Sequence, residues 1–145
     1  EREILRRLLA MGDLRVSEIA TPRERIVHAD CSGGMAEALD QMRSSRHPRI
    51  PVVDGSLDQV VGILHAKDLA PFVWEEKNRP ALKGLMRRPL FVSSDRTVAS
   101  LLELFRSQRS HMAVVVDGYS RTVGLITRSD LFRHLSGGAG EALNG

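Results

Sequence analysis

Aromatic residues are scarce in this chain: they make up 4% of its 145 residues, with one Trp and one Tyr. Any core must therefore be mostly aliphatic, and the stacking platforms that hold single-stranded nucleic acid are lacking. Cysteine is nearly absent too. Cys31 stands alone, so no internal disulfide can form, which suits a reducing, intracellular setting. It has no convincing His partner nearby in sequence, and a buried or incidental thiol is a better reading than a nucleophile. No apolar run approaches the roughly 20 residues that cross a bilayer, and no signal peptide is visible. The histidines His28, His47, His65, His111 and His134 show no close pairing of the metal-ligand type. Walker loops and Gly-x-Ser-x-Gly elbows are missing as well.

What remains is an ordinary globular composition, 42% hydrophobic and 27% charged. The length allows one compact domain or two small halves sharing a core. The net charge of +3 is mild, and the arginines behind it are spread along the chain. Most such arginines belong to a solvated surface, but a few converging on one place would suit a phosphate-bearing ligand. The sequence opens on Glu1 inside an amphipathic pattern and closes on small residues, Ser136-Gly137-Gly138-Ala139-Gly140. The expectation is a piece of a longer protein.

The chain says nearly the same thing twice. Val52-Val53-Asp54-Gly55, Val61-Gly62-Ile63-Leu64 and Lys67-Asp68-Leu69 are echoed by Val115-Val116-Asp117-Gly118, Val123-Gly124-Leu125-Ile126 and Ser129-Asp130-Leu131. Asp54 and Asp117 are 63 positions apart, Gly62 and Gly124 are 62, so the register slips inside one turn. Two copies of one small unit predict two like halves packed face to face, with function in the clefts between them.

Periodicity fills in the elements. Ile4, Leu5, Leu8, Leu9 and Met11 predict a leading helix within a lead-in over 1–15, stopped near Gly12. The first copy spans 16–74. Thr21-Pro22 begins a turn, and Ile26-Val27 reads as a short strand. A weakly capped helix from Gly34 follows, with Met35, Ala38, Leu39 and Met42 on one face. Ile50–Val53 is a strand that Pro51 places at an edge or bulge. Gln59–Leu64 returns after the Asp54-Gly55 turn, and Ala66–Val73 closes the copy as a short helix. A connector over 75–84 leads to the second copy at 85–135: a strand at Leu90–Val92, and a helix capped by Thr97 with Val98, Leu101, Leu102 and Phe105 facing inward. Two continuous apolar strands come next, Met112–Val116 and Val123–Thr127, followed by a final helix over Ser129–Leu135. Residues 136–145 are expected to form a flexible tail.

The strongest chemical signal is Thr127-Arg128-Ser129-Asp130, where an apolar strand hands over to a helix. The first turn of a helix leaves amide donors open and favours an anion. The Thr127 hydroxyl can join those amides around a phosphate, and the Asp130 carboxylate can accept two hydrogen bonds from a ribose diol. On spacing alone the same two residues read first as a plain helix cap, with Asp130 complementing the dipole.

With its Gly-apolar-apolar-Thr-x-x-Asp-Leu close, the repeat resembles a tandem pair of cystathionine-β-synthase (CBS) domains, a Bateman module, over residues 16–135. Thr21-Pro22-Arg23, His47-Pro48-Arg49-Ile50-Pro51-Val52, Val61–Leu69 and His111–Asp117 are similar to the CorC/HlyC group of magnesium and cobalt efflux proteins, as is the leading helix. The resemblance implies an α/β (α+β) fold of two small sheet-and-helix repeats related by a pseudo-two-fold. It implies a non-enzymatic, regulatory module that binds an adenine nucleotide (AMP, ADP or ATP), with Mg²⁺ on the phosphates. It further implies a homodimer and an attached transporter domain, the whole a cytoplasmic part of a membrane-associated parent, with no nucleic-acid partner. The nucleotide-binding residues it carries over are Thr21, His47, Arg49, Ile50, Thr127 and Asp130. Arg49 offers a planar fork for phosphate oxygens, and Ile50 with its neighbours can flank a base. The first copy has His65 where the second has Thr127, which predicts one competent site and makes His65 a structural cover for the helix start. The final helix is more basic than in those relatives, which argues against a direct Mg²⁺ role for it. The alternative is a ligand-free dimerisation module.

Overall fold

In a computed structural model, residues 2–10 and 12–136 are described; the expected tail lies outside them from residue 137 onward. In chain order the strands are β1 (Thr21–Pro22), β2 (Ala29–Asp30), β3 (Arg49–Val53), β4 (Val60–His65), β5 (Phe91–Ser93), β6 (Met112–Val116) and β7 (Thr122–Thr127). The α-helices are α1 (Arg2–Ala10), α2 (Gly34–Ser45), α3 (Ala66–Leu69), α4 (Val98–Gln108) and α5 (Arg128–Leu135). This is an α+β fold with two small mixed sheets, of order β1-β7-β6-β5 and β2-β3-β4. The chain divides into two compact units: unit 1 holds Glu1–Glu24 with Leu90–Gly145, and unit 2 holds Arg25–Pro89.

Unit 1 carries the four-stranded sheet. The inward face of α4 is Val98, Leu101 and Phe105, as their helical spacing requires. The Thr97 hydroxyl caps α4 by accepting the Ser100 amide at 3.2 Å. These side chains meet Val92 of β5, Ala113 and Val115 of β6, Ile126 of β7 and Leu131 and Leu135 of α5 in one aliphatic core. β6 is buried along Met112–Val115, whereas β7 alternates and leaves Val123 exposed. The apolar run of β7 thus belongs to a strand covered on one face, not two.

Unit 2 packs Met35, Ala38, Leu39 and Met42 of α2 against Ile50, Val52 and Leu64. α2 has no side-chain cap, in line with its Gly34 start. It ends on Arg46 in the left-handed region (φ 62°), and α4 ends the same way on Arg109 (φ 52°), so the two copies share even their helix stops. The closing helix of the first copy is α3 followed by a 3-10 turn over Ala70–Phe72, because Pro71 cannot continue the α-helical ladder.

Three expectations need correction. Thr21-Pro22, expected to begin a turn, is itself a strand that pairs antiparallel with Leu125 and Gly124, and a 3-10 turn over Arg23–Arg25 follows it. Ile26-Val27 is irregular, and the strand forms at Ala29–Asp30, where a parallel partner, Val52-Val53, is available. Pro51 lies in the central strand of its sheet, not at an edge. Its partner Ile63 turns both backbone groups away, to Arg87, at 2.9 and 2.8 Å. Pro51 therefore meets β4 at a non-hydrogen-bonded position, where its missing N–H forfeits nothing, and β2 pairs only with Val52 and Val53. The ladder does shift, but one residue on, between Val52 and Val53.

The opening segments of the two copies are exchanged. β1, near the start of the first copy, completes the sheet of the second in unit 1. Arg87, near the start of the second copy, bridges Ile63 on β4 of the first in unit 2. Glycine is required at both crossings: a Cβ on Gly124 would lie 2.7 Å from the Thr21 carbonyl oxygen, and one on Gly62 would lie 2.7 Å from the Met86 side chain. In unit 1 the crossing is tied further by Arg23, whose Nη1 donates to the Thr122 carbonyl at 2.7 Å.

Candidate nucleotide site

Unit 1 gathers three of the expected residues on neighbouring elements: Thr21 on β1, Thr127 at the end of β7 and Asp130 in the first turn of α5. The strand-to-helix junction is a reciprocal capping box. Thr127 Oγ1 accepts the Asp130 amide at 3.0 Å, and Asp130 Oδ2 accepts the Thr127 amide at 3.4 Å. A hydroxyl that accepts one bond keeps its own proton to donate elsewhere. Asp130 Oδ1 also pairs with Arg133 Nη1 at 3.0 Å, one turn along the same helix and partly exposed. Pairs of this kind contribute only a few tenths of a kcal/mol, so Arg133 is a weak competitor for the carboxylate.

Unit 2 holds the other three. His47 is exposed, and its amide donates to Ser45 Oγ at 3.2 Å. Ile50 has no exposed surface and belongs to the core, so its side chain is already enclosed by protein. Arg49, half-buried, stands opposite His65 in the sheet. Its Nε is buried without a hydrogen-bond partner. Burial, and then the nearby Arg87, push the Arg49 guanidinium below its ordinary range.

The junction of β4 with α3 is the first copy's counterpart of the unit 1 junction. His65 occupies the cap position of α3 without a side-chain cap bond. Asp68 is engaged by Arg87, whose Nε reaches Oδ2 at 3.0 Å and whose Nη2 reaches Oδ1 at 3.1 Å. Sequence reasoning singled out His65 but not Arg87. Its place opposite Ile63, like that of Thr21 opposite Leu125, exists only once the strands are paired, so no local pattern announces it.

The family model for the CBS domain matches residues 16–75 and 82–137. The chain belongs to the CBS domain family. As a tandem CBS pair it is similar to the magnesium and cobalt efflux protein CorC of Pasteurella multocida (strain Pm70), 35% identical over 136 residues. That match covers 94% of this chain and 45% of the relative, so the chain spans about half the length of that protein. Among solved structures it is similar to the CBS domain of the bacterial CNNM/CorC family Mg²⁺ transporter in complex with ATP. There the TM-score is 0.85 and the identity 33%, covering 94% of this chain and 96% of the other. A CBS-domain pair with bound AMP from Klebsiella pneumoniae aligns with TM-score 0.75 at 25% identity, covering 86% and 99%. Among the described residues, no helix is long and apolar enough to cross a membrane.

Within the CBS pair, His65 gives unit 2 an acid-sensitive point. Burial first, then Arg87 and Arg49, lower its pKa to about 4. An unfolded chain takes up that proton near pH 6.5, whereas the folded chain resists it until about pH 4. Stability is therefore complete above about pH 6.5 and falls as the pH drops towards 4, by up to about 3 kcal/mol. Urea unfolding at pH 7 and pH 4.5 should show most of this loss in the wild type and much less in His65→Gln. An equal loss in both chains would place the acid sensitivity elsewhere.

Cys31 is exposed rather than buried. Its Sγ donates to Asp54 Oδ1 at 3.6 Å, and desolvation followed by the Asp54 charge raises its pKa, the opposite of what a nucleophilic thiol needs. Asp30 joins these two within metal-ligand range. Its carboxylate already accepts the Ser32 and Gly55 amides, each at 3.0 Å, which is a turn-stabilising role.

Proposed function

We propose that this CBS pair is a regulatory module that binds an adenine nucleotide, AMP, ADP or ATP, through the junction of β7 and α5. The observation that carries the reading is the Thr127–Asp130 box with Thr21 alongside. It offers a hydroxyl proton and the positive end of a helix to a phosphate, and two carboxylate oxygens to a ribose diol. The similar CBS structures with ATP and AMP support it. His47, Arg49 and Ile50 belong to the proposed nucleotide-binding set by resemblance. Mg²⁺ enters as the counter-ion of the nucleotide phosphates. The module works as a homodimer in the cytoplasmic part of a membrane-associated ion-efflux protein. A nucleotide that binds one arrangement of the module better than another shifts its population, and an attached transport domain reads that shift.

A melting curve with and without each nucleotide, with and without Mg²⁺, tests the reading. Ligand at 100 times its Kd should stabilise the chain by about 2.7 kcal/mol, a rise of roughly 5–10 °C in Tm for a chain of this size. No shift with AMP, ADP or ATP would leave Thr127 and Asp130 as a helix cap in a dimerisation module.

A further inference from the structure

The two junctions match in sequence and in register, yet they differ in what faces the aspartate. In unit 1, Thr21 lies opposite Leu125, the residue after Gly124. In unit 2, Arg87 lies opposite Ile63, the residue after Gly62. Arg87 thus occupies the place in unit 2 that Thr21 occupies in unit 1. From that place the long Arg87 guanidinium reaches Asp68, a grip that the short side chain of a Thr cannot make.

The reach is well anchored. The Arg87 backbone exchanges two hydrogen bonds with Ile63, at 2.8 and 2.9 Å. Its side chain then forks onto both oxygens of Asp68, with a shortest N···O distance of 2.9 Å. The Arg87–Asp68 pair is about as exposed as the Arg133–Asp130 pair, so what sets it apart is geometry: the guanidinium, held by its own backbone, presents the planar two-point grip that suits a carboxylate. Asp130 has no such partner among the contacts described above, since Arg133 touches it through one nitrogen from its own helix. The cap position changes in step: Thr127, with its compact hydroxyl, is replaced by the buried imidazole of His65.

We propose that Arg87 is an internal plug. Its guanidinium takes the carboxylate that a ribose diol would need, and together with His65 it closes the first copy's junction to nucleotide. Arg87 thereby sets the stoichiometry at one nucleotide per chain. This rests on the nucleotide reading of the unit 1 junction.

The test is the number of AMP molecules bound per chain, measured by calorimetric titration of the wild type, the double variant Arg87→Thr/His65→Thr and the triple variant that adds Asp68→Ala. Thermal unfolding confirms that each is folded. The expected counts are one, two and one. A wild type that binds one and a double variant that still binds one would overturn the plug and leave the nucleotide reading standing. A wild type that binds two would do the same. If the wild type binds none and the double variant gains a site that Asp68→Ala removes, the plug stands and the reading of Thr127 and Asp130 falls. If neither binds, both fall. A second site that survives Asp68→Ala would place it away from this junction and overturn the plug.

Discussion

Asp130→Ala is expected to weaken AMP binding at least a hundredfold while the chain stays folded. The carboxylate is the proposed acceptor for both ribose hydroxyls, and hydrogen bonds to a charged group contribute about 1.5–3 kcal/mol each. Losing two therefore costs roughly 3–6 kcal/mol, or two to four powers of ten in Kd. The structural cost is smaller. The substitution removes the 3.4 Å bond to the Thr127 amide and a favourable charge at the start of α5, together about 1 kcal/mol. Melting and titration therefore separate the two roles. Thr127→Ile should abolish binding as well, since it removes the hydroxyl and sets a branched carbon in the junction. The sign is informative: a carboxylate beside the phosphates would repel them, and its removal would tighten binding. Unchanged or tighter affinity in Asp130→Ala would place the nucleotide elsewhere.

Phe105→Ala is expected to cost about 3–5 kcal/mol of stability, enough to lower Tm by about 10 °C or more. With few aromatics to draw on, unit 1 builds its core around one ring. Of the four phenylalanines, Phe105 alone is fully buried, while Phe91 and Phe132 are exposed and Phe72 is half-buried. Its neighbours on β5, β6, β7 and α5 are mostly branched aliphatic residues held in sheet and helix positions, which cannot collapse into the space a ring leaves. Phe105→Leu keeps most of the volume and should cost far less. Denaturant unfolding of the two variants checks this; a loss below about 1 kcal/mol for Phe105→Ala would mean that the core repacks.

The helices were the most legible part of the chain. α2 and α4 announce themselves through apolar residues at helical spacing, and the Thr97 cap of α4 acts through the short-range bond its residue type favours. Strand identity was harder. Two-residue strands such as β1 and β2 carry no periodicity, and they exist only because a partner lies alongside: Leu125 and Gly124 for β1, Val52 and Val53 for β2. Pro51 misled for a related reason. Its ring removes a backbone donor, but whether that matters depends on which way Ile63 faces, and the register of β3 with β4 sets that; Arg87 then takes the outward Ile63 groups.

The junction chemistry divides along the same line. Thr127 and Asp130 could be read directly, because a box of Thr and Asp three residues apart is local. Arg87 could not be read in the same way, since its grip on Asp68 spans 19 positions and depends on the exchange of the opening segments. The same holds for Ile50. That its side chain lies in the core of unit 2 follows from tertiary packing, which no local pattern around Pro51 reveals.

A structure of the chain crystallised with AMP tests the central claim most directly. The account predicts a ribose whose two hydroxyls donate to the Asp130 carboxylate, with Arg133 displaced and the Thr127 hydroxyl turned towards the phosphate. A nucleotide seated away from this junction, with Asp130 still holding the Thr127 amide and Arg133, would contradict it.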